Sequence, residues 1–112
     1  MESETIQYIP KELQDRLVSL GLTELSERTV SREGKAFTEY GITLEQAERW
    51  IWREHRELFP KVFSFQDALS MVSVNGQTAM DDERDIIYFP DPFSARLAGV
   101  ERVIEMLEQR QK

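Results

Sequence analysis

The sequence predicts an α+β fold, namely a mainly helical single domain with a small antiparallel sheet, and three observations lead to this prediction. Apolar residues recur at helical spacing from residue 9 and again from residue 93. A capping sequence at residues 43–46 begins a further helix. The run 86–89 is β-branched and aromatic, as strands are. No linker or repeat divides the sequence, so we expect residues 1–112 to form one compact domain with residues 1–7 as a flexible N-terminus.

The first helix is predicted over residues 10–20. Pro10 suits the first helical position because its ring fixes φ and its missing N–H would have no helical partner there. Four apolar residues recur at spacings of four, four and three residues: Ile9, Leu13, Leu17 and Leu20. Gly21 then provides a C-terminal stop. We expect the apolar stripe to face the core.

Residues 22–42 allow two interpretations, because their apolar positions fit neither a sustained helix nor a clean alternation. One is a β-hairpin through residues 32–35, in which Gly34 adopts the positive φ that a tight turn needs. The other is a pair of short helices separated at Gly34. The hairpin is the favoured interpretation.

The helix predicted over residues 44–58 has the clearest signal. Thr43 stands at the N-cap with Gln46 three residues later, which is the reciprocal arrangement of a capping box. At about 100° per residue, several side chains fall within one arc. They are Leu44, Ala47, Ile51, His55 and Leu58. Trp50 and Trp52 flank this arc, and we expect Trp52 to be the more accessible of the two.

The segment that follows also allows two interpretations. A short helix over residues 65–73 is one, since Ser64 can cap it. The other is a hairpin whose turn is Asn75-Gly76, a strong type I′ sequence. The short helix is slightly favoured. Beyond it, residues 86–89 are expected to form one buried strand.

The last helix is predicted over residues 92–110, because Asp91 can cap it and Pro92 suits its first position. Its apolar stripe runs close to the C-terminus and comprises Phe93, Leu97, Val100, Ile104 and Leu107. Two uses of this stripe stay open. It can close the core of its own domain, or it can form a homodimer through helix 92–110.

The side-chain inventory argues against an enzyme. One histidine and no cysteine exclude a nucleophilic thiol, a cysteine zinc site and a paired-histidine metal site. The sequence contains neither a Gly-x-Ser-x-Gly elbow nor a glycine-rich phosphate loop. His55 falls in an apolar arc and is expected to be a core residue rather than a general base. We therefore expect no catalytic residue, no metal and no cofactor.

The charge limits the classes of partner. A formal net charge of −7 argues against binding to nucleic acid or to an anionic membrane, because both favour a basic face. The same charge permits a basic protein partner. The apolar runs are far shorter than the roughly 20 residues that span a bilayer, and the N-terminus lacks a secretory pattern. Together with the absence of cysteine, this predicts a cytoplasmic location.

The expected function is that of a small, acidic, non-enzymatic protein that binds a protein partner and modulates or inhibits it. Bacterial immunity proteins, antitoxins and phage-encoded inhibitors share this composition, although no motif supports the analogy. Tryptophan and arginine are enriched at interface hot spots, so we place the binding face on helix 44–58. The face comprises Glu45, Glu48, Arg49, Trp52 and Arg56. A second candidate is the acidic loop of Asp81, Asp82, Glu83 and Asp85, whose spacing and internal Arg84 disfavour a bound cation.

The alternative function is a helix-turn-helix DNA-binding regulator that uses residues 36–57. Gly41 would lie in the turn between two helices, and Thr43, Gln46 and Arg49 would begin the recognition helix. Arg53 would reach a phosphate. Against this hypothesis, residues 43–57 contain four glutamates and three arginines. The glutamates would repel phosphates from part of the proposed recognition surface.

Overall fold

The computed structural model describes residues 8–64 and 69–111. It is an α+β fold with three helices and two small antiparallel sheets, which confirms the predicted fold class. The elements, in chain order, are α1 (Lys11–Ser19), β1 (Ser26–Arg32), β2 (Lys35–Gly41), α2 (Leu44–Glu54), a 3-10 helix (Arg56–Leu58), β3 (Lys61–Ser64), β4 (Ser70–Val74), β5 (Gln77–Thr78) and α3 (Pro92–Arg110). Residues 1–7, where the flexible N-terminus was predicted, lie outside the described residues.

Helix α1 matches its prediction, except that Pro10 is the N-cap rather than the first helical residue. Its predicted stripe is buried at Ile9, Leu13 and Leu17. The helix ends in a Schellman motif, because the N–H of Leu22 donates to the carbonyl oxygen of Leu17 over 3.0 Å. Gly21, whose φ is +117°, makes this turn possible.

Strands β1 and β2 form the favoured hairpin, with Arg32 opposite Lys35. The two residues of its turn, Glu33 and Gly34, have φ values of 51° and 77°, as a type I′ turn requires. Nine of the 14 residues of the ribbon are exposed, and Gly41 is its one buried residue. The two short helices that were the alternative interpretation are therefore absent from this segment.

Tyr8 attaches the base of this hairpin to the rest of the protein. Its hydroxyl lies 3.3 Å from the carbonyl oxygen of Ser26 and 3.2 Å from that of Glu39. Its ring packs so closely on Gly41 that a Cβ atom there would lie 2.6 Å from the ring carbons. The guanidinium of Arg28 covers the ring at 4.7 Å from its centroid. The hairpin is thus held at its base and extends away from the core.

Strands β3, β4 and β5 form the second sheet in that order, and every pairing is antiparallel. The turn between β4 and β5 is Asn75-Gly76, with φ values of 54° and 80°. The hairpin interpretation was therefore correct. The short helix predicted over residues 65–73 is wrong at residues 70–73, which belong to strand β4. Residues 65–68 lie outside the described residues. The type I′ turn favours a hairpin, and burial alternates along β4 as it does in a strand and not in a helix.

The predicted buried strand at residues 86–89 is wrong. This segment makes only isolated bridges, from Ile86 to Met80 and from Phe89 to Ser70. Ile86 is 39% exposed and Tyr88 52% exposed. The N–H of Ile87 also donates to the carbonyl oxygen of Ala79 over 3.0 Å, but no continuous ladder forms. The loop before the segment is a turn, in which the N–H of Arg84 donates to the carbonyl oxygen of Asp81 over 3.0 Å.

Helix α3 lies at the centre of the fold, where it packs on one face of the second sheet and also contacts α1 and α2. Its buried face comprises Ala95, Gly99, Val100, Val103, Ile104 and Leu107. The predicted stripe therefore closes the core of its own domain, which was one of its two expected uses. At Gly99 the helix comes unusually close to the sheet. A Cβ atom there would lie 2.6 Å from Cβ of Pro60 and 2.9 Å from Cγ2 of Val72.

Replacing Gly99 with alanine should destabilise the protein by about 1–3 kcal/mol, the usual cost of overpacking a core. Helix propensity alone predicts the opposite, a gain of about 1 kcal/mol. The free energy of unfolding in urea decides between the two. As a control, Ala98→Gly changes the same helix next to this contact and should lose only about 1 kcal/mol of propensity. A Gly99→Ala protein more stable than the wild type would contradict the close packing.

Candidate functional site

The structure divides the predicted binding face into two parts. Glu48 turns toward α3, where its carboxylate accepts two hydrogen bonds from Arg96 at 2.9 and 2.5 Å. This contact raises the pKa of the Arg96 guanidinium. Glu45 lies 3.5 Å from the same guanidinium. The Glu48 side chain is only 17% exposed, so this carboxylate joins two helices and is not available to a partner.

Trp52 lies on the other part of the face and is 50% exposed, whereas Trp50 is 5% exposed. The prediction that Trp52 is the more accessible indole is confirmed. The guanidinium of Arg56 covers its ring at 4.5 Å, and Nε of Arg56 donates to the carbonyl oxygen of Trp52 over 3.3 Å. Phe59 meets the indole edge to face, with the ring centroids 5.3 Å apart. The indole is therefore held in place although half of it faces solvent.

An open groove extends from Trp52 across the outer face of the second sheet. Val62 and Val72 are paired across the strands and share the inner face toward α3. Their neighbours therefore point outward: Lys61 and Phe63 on β3, with Met71 and Ser73 opposite them on β4. The groove has a volume of about 520 Å³. It is lined by Trp52, Arg56, Glu57, Phe59, Lys61, Phe63, Ser73, Asn75 and Gly76. We call it the Trp52 groove.

Sequence reasoning missed Lys61 and Phe63, although both are exposed members of the groove. No strand was predicted over residues 61–64. The signal that could have found it is the type I′ turn sequence Asn75-Gly76 together with the stop at Pro60, which leave residues 61–74 as the partner segment of a sheet. That turn implies a hairpin, and a hairpin of two strands usually needs a third strand or a helix to be stable.

The charges around the groove are unusual for so acidic a protein. Among the described residues, most Lys and Arg side chains have a carboxylate oxygen within 4.0 Å. The exceptions are Lys35, Arg49, Arg56, Lys61 and Arg84. Arg56 and Lys61 line the groove, and Arg49 lies one helical turn before Trp52. Three cations without a carboxylate within 4.0 Å among the described residues therefore lie in or beside the Trp52 groove.

Glu57 is the only acidic residue that lines the described groove, and it is already engaged. Its carboxylate accepts a hydrogen bond from its own backbone N–H and another from Arg110 at 3.5 Å, and these hold its pKa below the usual value. It therefore stays ionised near neutral pH. Its charge is directed toward Arg110 rather than toward Arg56 or Lys61.

The acidic loop is a self-contained turn. The carboxylate of Asp81 accepts hydrogen bonds from the backbone N–H groups of Glu83 and Asp85, at 2.8 and 3.0 Å. Asp82, Glu83 and Asp85 are exposed. Asp81 thus stabilises the loop backbone, and no group of three or more potential ligands in the described residues could hold a metal ion.

The helix-turn-helix hypothesis requires a helix before Gly41, but this segment is strand β2. The side chains of Thr43 and Gln46 are used by the predicted capping box, in which Oγ1 of Thr43 accepts from the N–H of Gln46 at 3.2 Å. Arg53 lies 3.6 Å from Glu24 and 3.5 Å from Glu54. The predicted recognition surface is therefore not assembled.

His55 ends α2 and is half-buried, with its ring 5.0 Å from that of Trp50 at an angle of 63°. It caps the helix rather than belonging to the fully buried arc in which it was placed. No carboxylate of the described residues is hydrogen-bonded to its imidazole. None of the helices within the described ranges is long and apolar enough to cross a membrane.

Comparison with known proteins gives no relative: no family model, no curated protein and no solved structure matches this chain. We therefore infer the function from the side chains that the fold brings together.

A double-mutant cycle on Glu48→Gln and Arg96→Met should give a coupling energy of about 1–2 kcal/mol in urea unfolding, because the pair is partly buried and bidentate. The same cycle on Lys11 and Asp15, an exposed pair at 3.0 Å, should give less than about 0.5 kcal/mol. Equal coupling in the two cycles would show that the Glu48 contact does not join the helices.

Proposed function

We propose that this protein is a non-enzymatic, cytoplasmic binding module that recognises a protein partner through the Trp52 groove and thereby modulates or inhibits that partner. The observation that carries the proposal is the half-exposed indole of Trp52, held between Arg56 and Phe59 and followed along the groove by exposed Phe63. The absence of cysteine and the single histidine support a non-enzymatic role and a reducing compartment.

Immobilised aromatic side chains favour binding for a physical reason. A tryptophan or phenylalanine buries a large area on contact, and a side chain that is already fixed loses little conformational entropy when a partner covers it. Trp52 is fixed by two contacts in the absence of any partner. Tryptophan and arginine are also the residue types that most often dominate interface energetics. The pair of Trp52 and Arg56 therefore has the properties of an interface hot spot.

The exposed aromatic residues of the β1–β2 hairpin support a binding surface less well. Phe37 and Tyr40 lie on β2, where Phe37 is paired with Val30 and Tyr40 with Glu27. Because they are three residues apart in a strand, their side chains lie on opposite faces of the ribbon. They therefore form no contiguous patch, whereas Trp52, Phe59 and Phe63 line one groove.

A homodimer through α3 is a weaker proposal. The side chains that would have formed its seam, including Val100, Ile104 and Leu107, are buried in the core of the domain. Among the residues of the predicted stripe, Phe93 is the one with substantial exposure. A single phenylalanine is a small apolar surface for a stable dimer.

Replacing Trp52 with alanine should weaken binding to the partner by about 2 kcal/mol or more while the protein stays folded. Phe37→Ala is the matched control, because Phe37 is 49% exposed and Trp52 is 50% exposed. Each variant is used to capture proteins from a nuclease-treated lysate of the source organism, and recovery is quantified by mass spectrometry. The affinity for the recovered protein is then measured by calorimetry.

A protein recovered in stoichiometric amount by the wild type and by Phe37→Ala, but not by Trp52→Ala, is the expected result. Equal recovery by all three proteins, or loss with Phe37→Ala alone, would contradict the assignment of the groove. Thermal unfolding of each variant checks that the loss does not come from unfolding.

A further inference from the structure

Arg56 is held in a geometry that suits a carboxylate. Its guanidinium lies over the indole of Trp52 at 4.5 Å from the ring centroid, and its Nε already donates to the carbonyl oxygen of Trp52. No carboxylate of the described residues lies within 4.0 Å of it. The terminal N–H groups thus remain for an external acceptor. A planar guanidinium fixed before binding can donate two parallel hydrogen bonds to a carboxylate with little further ordering.

Two more cations lie beside the same aromatic cluster. Lys61 lines the groove and Arg49 lies one turn earlier on α2, and neither has a carboxylate partner in the part of the chain that the structure describes. The one acidic residue of the lining, Glu57, is bound to Arg110. The protein as a whole has a formal net charge of −7, whereas this surface carries positive charge that is unpaired among the described residues. Complementary charge across an interface favours encounter and the correct register.

Building on the proposed function, we infer that the Trp52 groove binds an acidic segment of a protein partner. An aspartate or glutamate of that segment pairs with Arg56, and a neighbouring apolar side chain lies between Trp52 and Phe63. Lys61 and Arg49 attract further carboxylates at the two ends of the contact. The inference reverses the expectation, drawn from net charge, that the partner is basic. Net charge alone does not reveal which carboxylates are already paired within the fold.

A single-stranded nucleic acid is the competing ligand, since it also combines negative charge with groups that stack on aromatic rings. Two observations favour the acidic segment. One face of the indole of Trp52 is already covered by Arg56, which limits base stacking there. Three uncompensated cations on a protein of net charge −7 also provide a short positive patch rather than a track for successive phosphates.

The test is a selection of short random peptides displayed on phage against the wild-type protein, with counter-selection against Trp52→Ala. The inference predicts that the Trp52-dependent peptides are richer in Asp and Glu than the unselected library and carry an aromatic or aliphatic residue. Arg56→Gln should raise the dissociation constant of the best selected peptide about tenfold or more. Arg56→Lys should recover only part of this loss, because lysine lacks the planar fork.

Lys35→Gln is the matched control, because Lys35 is an exposed and uncompensated cation at the tip of the hairpin. It should leave the affinity of the peptide unchanged. Far-UV circular dichroism and thermal unfolding establish that each variant is folded before its affinity is compared. A labelled oligothymidylate, measured in parallel at several salt concentrations, is the nucleic-acid probe.

The possible results separate the two proposals. Trp52-dependent peptides that are neutral or basic, or whose affinity is unchanged by Arg56→Gln, would overturn the acidic segment while leaving the groove as a protein-binding surface. Failure to select any Trp52-dependent peptide would overturn both proposals. Trp52-dependent binding of oligothymidylate in competition with the peptide would also overturn both and would assign the groove to single-stranded nucleic acid.

Discussion

The approach of α3 to the second sheet at Gly99 is the contact on which the rest of this structure depends. Glycine is required there because Pro60 and Val72 occupy the space that a Cβ atom would fill. Through this contact α3 covers the inner face of β3 and β4 with its own apolar residues. Two bidentate ion pairs then join α3 to the other helices, Arg16 with Glu108 and Arg96 with Glu48.

The contact at Gly99 also fixes the position of the Trp52 groove. Pro60 separates the 3-10 helix from β3 and is buried against α3, so the chain on both sides of it has a fixed position. Before Pro60 this chain carries Arg56 and Phe59, and after it Phe63 follows on the outward side of β3. All three residues therefore lie beside Trp52, which projects from the end of α2. A packing constraint on the inner face of the sheet thus positions the aromatic and cationic groups on the outer face.

The helices could be predicted from the sequence because their signals are local. The capping box at Thr43 and the capping aspartate Asp91 fix two helix starts, and the apolar periodicity continues from each. The β1–β2 hairpin could also be predicted, because the positive φ of its turn requires a residue such as Gly34. These features depend on residues that are neighbours in the chain.

What could not be predicted depends on contacts between distant parts of the chain. The run 86–89 has strand composition, yet only tertiary pairing decides whether it joins a sheet. The predicted binding face included Glu48, because the sequence does not show that this carboxylate pairs with Arg96 on α3. Among the described residues, most Lys and Arg side chains outside the groove are paired with carboxylates, whereas those in the groove are not. The net charge of the protein could not indicate this uneven distribution.

Hydrogen exchange of the backbone amides, measured on the free protein and on its complex with the captured partner, tests the assignment of the groove most directly. Exchange at β3 and in the 3-10 helix reports on the groove itself, while the β1–β2 hairpin and the acidic loop report on the other exposed surfaces. We expect binding to slow exchange at residues 56–58 and 61–64 and to leave exchange at residues 26–41 unchanged. Protection of the hairpin or of residues 81–85, with β3 unaffected, would contradict this assignment.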